Sequence, residues 1–263
     1  MSPRPGWRAL KTKTWFSADL HLGHANIIGH CDRPFRTVEQ MNETIIARWN
    51  ERVAPEDTAW LLGDAAMGTI EETLPLLGRL NGRKFLVAGN HDRAFHGYKI
   101  KTGSGNGPDK VRTPTKAELA HWSDRYRAEG GFVAVVTGEA IRRSGHAIHV
   151  PLLGGPMFGH PTVLVSHFPY TGESREGHAD RYVDYRPRLP KRAEAPWLVH
   201  GHVHTAWAMD AAMRQINVGV DVWDFAPVGA DELSALIESF DPGYAERQLA
   251  AMETAGKARE SKA

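Results

Sequence analysis

The sequence predicts an α/β protein, in which a largely buried sheet carries helices on its faces and chemistry at the carboxyl ends of its strands. Two observations point there. Five short apolar runs each end at once in a group of His, Asp or Asn. The segments between the early runs show helical rather than alternating periodicity. In sheets of this kind ligands gather beyond the strand carboxyl ends, which is where the polar groups fall.

The first run, Thr14 to Ala18, is followed by Asp19 and His21. A helix comes next, because Thr37 and Gln40 are spaced as a capping box and Met41, Ile45, Ile46, Trp49 and Val53 recur at helical spacing. The second run, Ala59 to Leu62, leads to Gly63 and Asp64. Thr69 to Leu80 reads as another helix, in which Pro75 costs a backbone hydrogen bond unless it falls in the first turn. The third run, Phe85 to Ala88, leads to Gly89-Asn90-His91-Asp92.

From Gly97 to Gly131 the pattern lapses into Gly, Pro, Lys and Thr around one helix near Thr115 to Arg127, and reads as an insertion or lid. The fourth run, Thr162 to Val165, precedes Ser166-His167; the fifth, Trp197 to Val199, precedes His200-Gly201-His202-Val203-His204. A strand-like stretch from Ile216 to Trp223 and an amphipathic helix from Asp231 to Phe240 close the fold. Residues 1–240 therefore read as one domain and 241–263 as a tail, helical or disordered.

Composition narrows the class. A hydrophobic fraction of 41% with 24% charged residues is that of a globular protein able to bury a sizeable core. Lys plus Arg number 32 against 31 for Asp plus Glu, so no global field draws in nucleic acid or an anionic membrane. The single cysteine, Cys31, excludes an internal disulfide and reads as inert. Met1 to Lys13 lacks the apolar run of a signal peptide and no stretch reaches transmembrane length, so the expected setting is reducing and cytoplasmic. Oligomeric state is left open.

The donors have their own logic. Divalent metals of hard or borderline character take carboxylate oxygens and imidazole nitrogens, and two ions about 3.5–4 Å apart want an anionic bridge between them. Taken singly, His21 or His167 reads as an ordinary half-buried histidine, Asn90 as a turn residue and Asp64 as a helix cap. His200, His202 and His204 would share one face of an extended strand, so spacing alone does not say which of them bind.

Together, Asp19-x-His21, Gly63-Asp64, Gly89-Asn90-His91-Asp92, Ser166-His167 and Gly201-His202-x-His204 resemble the ordered motifs of calcineurin-like metallophosphoesterases, of the compact bacterial and phage kind. The resemblance implies a two-sheet β-sandwich flanked by helices, in four αββα layers. It implies that Asp19, His21 and His204 hold one metal, that Asn90, His167 and His202 hold the other, and that Asp64 bridges them. His91 would face the leaving group as general acid, with Asp92 orienting it or closing the turn. A metal-bridging hydroxide would attack phosphorus in line. Manganese is the first metal to try, with iron, zinc or nickel as alternatives for a set without thiolate.

The implied activity is hydrolysis of a phosphodiester, or a phosphomonoester, in a small or nucleotide-like substrate. A nuclease is one alternative, and a catalytically silent metal-binding scaffold is another. The protein serine/threonine phosphatases are disfavoured because Asp64 is followed by Ala65-Ala66-Met67-Gly68. A metallo-β-lactamase-like hydrolase is disfavoured because Val203-His204-Thr205 stands where Asp-His is expected. His24, Asn26, Arg33 and Arg93 are candidate substrate contacts, the arginines because guanidinium groups suit phosphate oxygens. A basic loop bearing Arg175, Arg181, Arg186, Arg188, Lys191 and Arg192 with Tyr182 and Tyr185 is expected to approach the site.

Overall fold

The computed structural model describes residues 12–102, 110–138, 147–152, 162–171, 182–188, 196–250 and 254. Of the basic loop, Arg175, Arg181, Lys191 and Arg192 lie outside these residues, as do His146, His160 and His178.

The first strand, β1 (Thr14–Ser17), is followed by α1 (Ala25–His30), α2 (Val38–Arg52), β2 (Thr58–Leu61), α3 (Ile70–Leu77) and β3 (Arg83–Val87). The short pair β4 (Ile100–Lys101) and β5 (Val111–Arg112) precedes α4 (Lys116–Ala128) and β6 (Phe132–Val136). Then come β7 (Ile148–Pro151), β8 (Thr162–Val165), β9 (Leu198–His200), β10 (Met209–Asp210), β11 (Gln215–Asn217), β12 (Val228–Gly229) and α5 (Ala230–Phe240). One sheet runs β12-β1-β2-β3-β6 and a second β10-β11-β9-β8-β7, each with a parallel centre and antiparallel strands only at its margins.

Alternation along the first sheet separates two cores. Trp15, Leu61 and Leu86 pack with Met41, Ile45, Trp49, Leu74 and Leu77 of the helices. Their neighbours Phe16, Leu62 and Val87 turn the other way, onto Val163, Val165, Val199 and Ile216 of the second sheet. A strand whose residues serve opposite faces in turn, both apolar, is a strand buried on both sides. The fold is thus the two-sheet α/β sandwich with helices on its flank.

Local signals account for the helices. The Thr37 hydroxyl accepts from the Gln40 amide, while the Gln40 side chain accepts from Arg36 N rather than from Thr37 N. Pro75 lies in the second turn of α3, and the chain leaves that helix through i→i−3 bonds from Gly78, Arg79 and Leu80. Thr115 and Glu118 form a reciprocal capping box at the start of α4.

The helix inside 97–131, read as part of an insertion or lid, is the crossover between β3 and β6, which pair in parallel. Its Tyr126 is fully buried. The tail expected from 241 is anchored at its start: residues 244–250 are helical, and Tyr244, 2% exposed, donates to the Thr162 carbonyl. Among the described residues, no helix is long and apolar enough to cross a membrane.

Lys84, 3% exposed on β3, donates to the Leu80 carbonyl, and burial pushes its pKa down to about 8. A free lysine titrates near ~10.4, so between these values the unfolded chain holds the proton and the folded chain does not. Lys84 therefore costs stability below pH 8, and that cost fades as pH rises toward ~10.4. Lys84→Met should melt higher than wild type at pH 7, with the gap closing by about pH 10.4 in paired thermal melts.

Candidate metal centre and active site

The polar groups that close β1, β2, β3, β8 and β9 meet at one edge of the sandwich. The loop after β1 is zipped to the loop after β2 by Asp19 N to Gly63 O (3.0 Å), His21 N to Asp64 O (2.9 Å) and Leu22 N to Ala65 O (3.1 Å). Asp19, His21, Asp64, His202 and His204 all have positive φ, between 47° and 74°. Non-glycine residues seldom adopt this conformation, and its concentration at one edge marks a place where side-chain direction outweighs backbone comfort. Gly63, at φ 89°, and Gly89 make room: a Cβ on Gly63 would lie 2.4 Å from His167 Nδ1, and one on Gly89 2.4 Å from Asp64 Oδ1.

Two donor sets result. The ligand atoms of Asp19, His21 and His204 lie within 4.8 Å of one another, as do those of Asp64, His167 and His202. Asn90 Oδ1 is 3.0 Å from His167 Nε2, which in turn is 3.2 Å from His202 Nδ1. Between the sets stands Asp64, whose Oδ1 accepts from His91 N at 2.8 Å. Its Oδ2 is 3.5 Å from His21 Nε2 and 3.6 Å from His167 Nε2.

The donors fit cations. Among the described residues, Asp19 Oδ1 and His21 Nε2 are buried without a hydrogen-bond partner, a costly state for polar atoms. His167 Nδ1 lies 2.8 Å from the Leu62 carbonyl, to which it must donate. Its Nε2 then carries a lone pair aimed at the oxygen of Asn90, and burial keeps the ring neutral by lowering its pKa to about 4. Facing lone pairs repel unless a cation lies between them.

Electrostatics agree. Burial pushes Asp19 up to about 7, against the pull of His204 and with the help of Asp64 and Asp221. Burial also works to raise Asp64, but the imidazoles of His167, His91 and His21 hold its carboxyl well below the usual carboxylate range. For His204 burial acts downward, yet the Asp19 charge and the Asp221 hydrogen bond raise it to about 11. Burial drives His21 far below an ordinary histidine. Buried carboxylates that raise a neighbouring histidine this far make a pocket short of positive charge.

The remaining candidates divide. His91 is at the mouth, its side chain 42% exposed and its Nε2 4.0 Å from Asp64 Oδ2. It lines a cleft of about 590 Å³ together with His21, His24, Met67, His202 and His204. Burial and repulsion from His91 lower His24 to about 4, so it faces the cleft as a neutral ring. Asn26 is exposed on α1. His30 and Cys31, the latter read as inert, also line the cleft.

The contacts of Asp92, Arg33, Arg93 and the segment from His200 to His204 bear on four expectations. Asp92 does not orient His91: its carboxylate accepts from Asp64 N, Ala65 N, Gly89 N and the Tyr126 hydroxyl, so it closes the turn. Arg33 is not free to clamp phosphate, because its guanidinium is buried against Asp221 and the carbonyls of Asp19 and Leu20. Arg93 lies over the rings of Tyr98 and Trp122, at 5.6 and 5.2 Å. The strand also ends at His200, whose ring packs on Trp207, so His202 and His204 are placed by a loop and not by a shared strand face.

Sequence reasoning passed over Asp221 and Asn217. Asp221 accepts from His204 Nδ1 at 2.9 Å, and Asn217 Nδ2 donates to the His204 carbonyl at 2.8 Å. The available signal was a lone carboxylate and a lone amide within an apolar run.

Imidazole, carboxylate and amide donors clustered at the carboxyl edge of an α/β sandwich define a protein of the metal-dependent hydrolase class. The chain belongs to the calcineurin-like phosphoesterase family, whose profile it matches over residues 12–206. That family is one of metal-dependent phosphoester hydrolases.

The chain is 32% identical over 232 residues to the Gene 66 protein of Mycobacterium phage L5, covering 86% of this chain and 94% of that one. It is 32% identical over 238 residues to the Gene 66 protein of Mycobacterium phage D29, covering 88% and 99%. The fold resembles that of AQ665 from Aquifex aeolicus, a protein of unknown function, with a TM-score of 0.54 and 22% identity over 86% of this chain and all of that one.

Proposed function

We propose that this protein hydrolyses a phosphodiester bond in a small or nucleotide-like substrate with the help of two divalent ions. The observation that carries the reading is Asp64 Oδ2, poised 3.5 Å from His21 Nε2 and 3.6 Å from His167 Nε2 between two donor sets. Asp19, His21 and His204 would hold one ion, Asn90, His167 and His202 the other, and Asp64 would touch both. When bound, such a pair lowers the pKa of a water and neutralises phosphoryl oxygens, with manganese the first ion to try.

The protein's own contribution is orientation. The Leu62 carbonyl fixes the tautomer of His167, and the Gly89-Asn90 turn is held by the Asp92 carboxylate. His91 presents Nε2 at the mouth of the cleft, where it can give a proton to a leaving oxygen. An open cleft of about 590 Å³ leaves room for ester groups on both sides of phosphorus, as a diester requires.

His91→Ala should retain its metal and lose about 10²–10⁴-fold in turnover, most for poor leaving groups that need a proton. Metal analysis beside rates for aryl and alkyl esters checks this, and lost metal would make His91 a ligand. The activity itself is tested with bis-p-nitrophenyl phosphate and p-nitrophenyl phosphate, with and without manganese. Manganese-dependent cleavage of the diester in preference supports the proposal. Preference for the monoester, or cleavage of nucleic acid alone, overturns the substrate assignment.

A further inference from the structure

Asp221 belongs to no motif, yet it joins the loop after β1 to the loop after β9. It lies in the 3₁₀ turn Val220–Val222, with a side chain 1% exposed. Its Oδ1 accepts from Arg33 Nε at 2.7 Å, and its Oδ2 from Arg33 Nη2 at 3.0 Å and from His204 Nδ1 at 2.9 Å. The Arg33 fork continues to the Asp19 carbonyl at 2.8 Å and the Leu20 carbonyl at 3.0 Å.

We propose that Asp221, clamped by Arg33, is a positioning residue that sets the tautomer and ring direction of His204 and so builds one of the two ion sites, that of Asp19, His21 and His204. The assignment rests on the two-ion reading above. A carboxylate at Nδ1 requires that nitrogen to carry the proton, which leaves the Nε2 lone pair for the ion. The His21 and His204 rings lie 5.1 Å apart, the neighbour relation such a shared ion needs.

No strand aims His204, whose φ is 47°, so the hydrogen bond from its ring to Asp221 and the one from Asn217 to its carbonyl take that task. Arg33 adds the other half, because its hold on the Asp19 and Leu20 carbonyls fixes the loop from which Asp19 and His21 project. The second donor set has a lock of its own, the Leu62 carbonyl on His167 Nδ1. Each donor set therefore has an orienting lock of its own, while Asp64 is common to both.

Cys31 brings its sulfur within 4.8 Å of the His204 and Asp221 donor atoms. A third ion there would press against the Arg33 guanidinium, already paired with Asp221. The arrangement orients His204 and does not add a site.

Asp221→Asn keeps the shape and leaves Oδ1 for Arg33 Nε, but sets an NH₂ where Oδ2 accepted from both Arg33 Nη2 and His204 Nδ1, so Nδ1 loses its acceptor and the ring proton is favoured at Nε2. The test is calorimetric titration of the metal-stripped, full-length wild type and variant with manganese. Two binding events are expected in the wild type. In the variant one should weaken about 10–100-fold while the other stays unchanged. Zinc-loaded wild type labelled with ¹⁵N-histidine supplies a second reading that needs no variant, and His204 should be protonated at Nδ1 and not at Nε2.

Unchanged affinities at both sites, equal weakening of both, or a His204 protonated at Nε2 would overturn the proposal. A wild type that binds no pair of ions would defeat the two-ion reading, and this assignment with it.

Discussion

Replacing Asp64 with asparagine should abolish manganese-dependent turnover, by about 10³-fold or more, which is about 4 kcal/mol of transition-state stabilisation. The substitution leaves shape and volume almost untouched and removes one negative charge. That charge stands between His21 and His167, and the surrounding imidazoles hold its carboxyl well below the usual range. A neutral amide cannot balance two cations about 3.5–4 Å apart, so metal content should fall together with rate. The amide oxygen of the replacement could still accept from His91 N, as Asp64 Oδ1 does, so the turn should survive. Rates and metal analysis on the same preparation check both halves, and a variant with normal rate would exclude Asp64 as the bridge.

Asp92→Ala should act on the fold instead. Its buried carboxylate satisfies three backbone amides, of Asp64, Ala65 and Gly89, and the Tyr126 hydroxyl. Removal leaves four buried donors without an acceptor, at about 1–3 kcal/mol apiece before relaxation. Burial and the nearby Asp64 charge already push Asp92 up to about 7, which offsets part of the loss. A net destabilisation of about 3–5 kcal/mol is expected, a large share of the stability of a typical domain. Denaturant unfolding of the metal-free protein measures it, and a loss below about 1 kcal/mol would refute the role given to Asp92.

Much of the donor set was legible because Asp19, Asp64, Asn90 and His167 stand within about three residues of the end of an apolar strand, and a strand end is a local feature. Asp19, Asp64, Asn90 and His167 could be found without knowing how the strands pair. Arg33 and Asp221 could not, because they are 188 residues apart and their meaning lies in their meeting. Arg33 alone reads as a solvated or phosphate-binding arginine, and only the buried Asp221 makes it a clamp. The contact between Asp92 and Tyr126 was hidden for a similar reason, since Tyr126 is on a helix that the sequence presents as an insertion.

The strand β6, Phe132 to Val136, went unseen although its five residues are all apolar, because it follows Gly130-Gly131 and ends in Thr137-Gly138 and not in the His, Asp or Asn groups that mark the other runs. The helix α3 accepts Pro75 beyond its first turn, where intrinsic propensity argues against it, because Leu74 and Leu77 on either side are fully buried.

The pair of ions is the centre of this account, and electron paramagnetic resonance of the manganese-loaded, full-length protein, with metal analysis on the same sample, tests it most directly. Two manganese ions per chain with the spectrum of an exchange-coupled pair is the predicted result. A single ion per chain, or two with the six-line spectrum of isolated manganese, would contradict it.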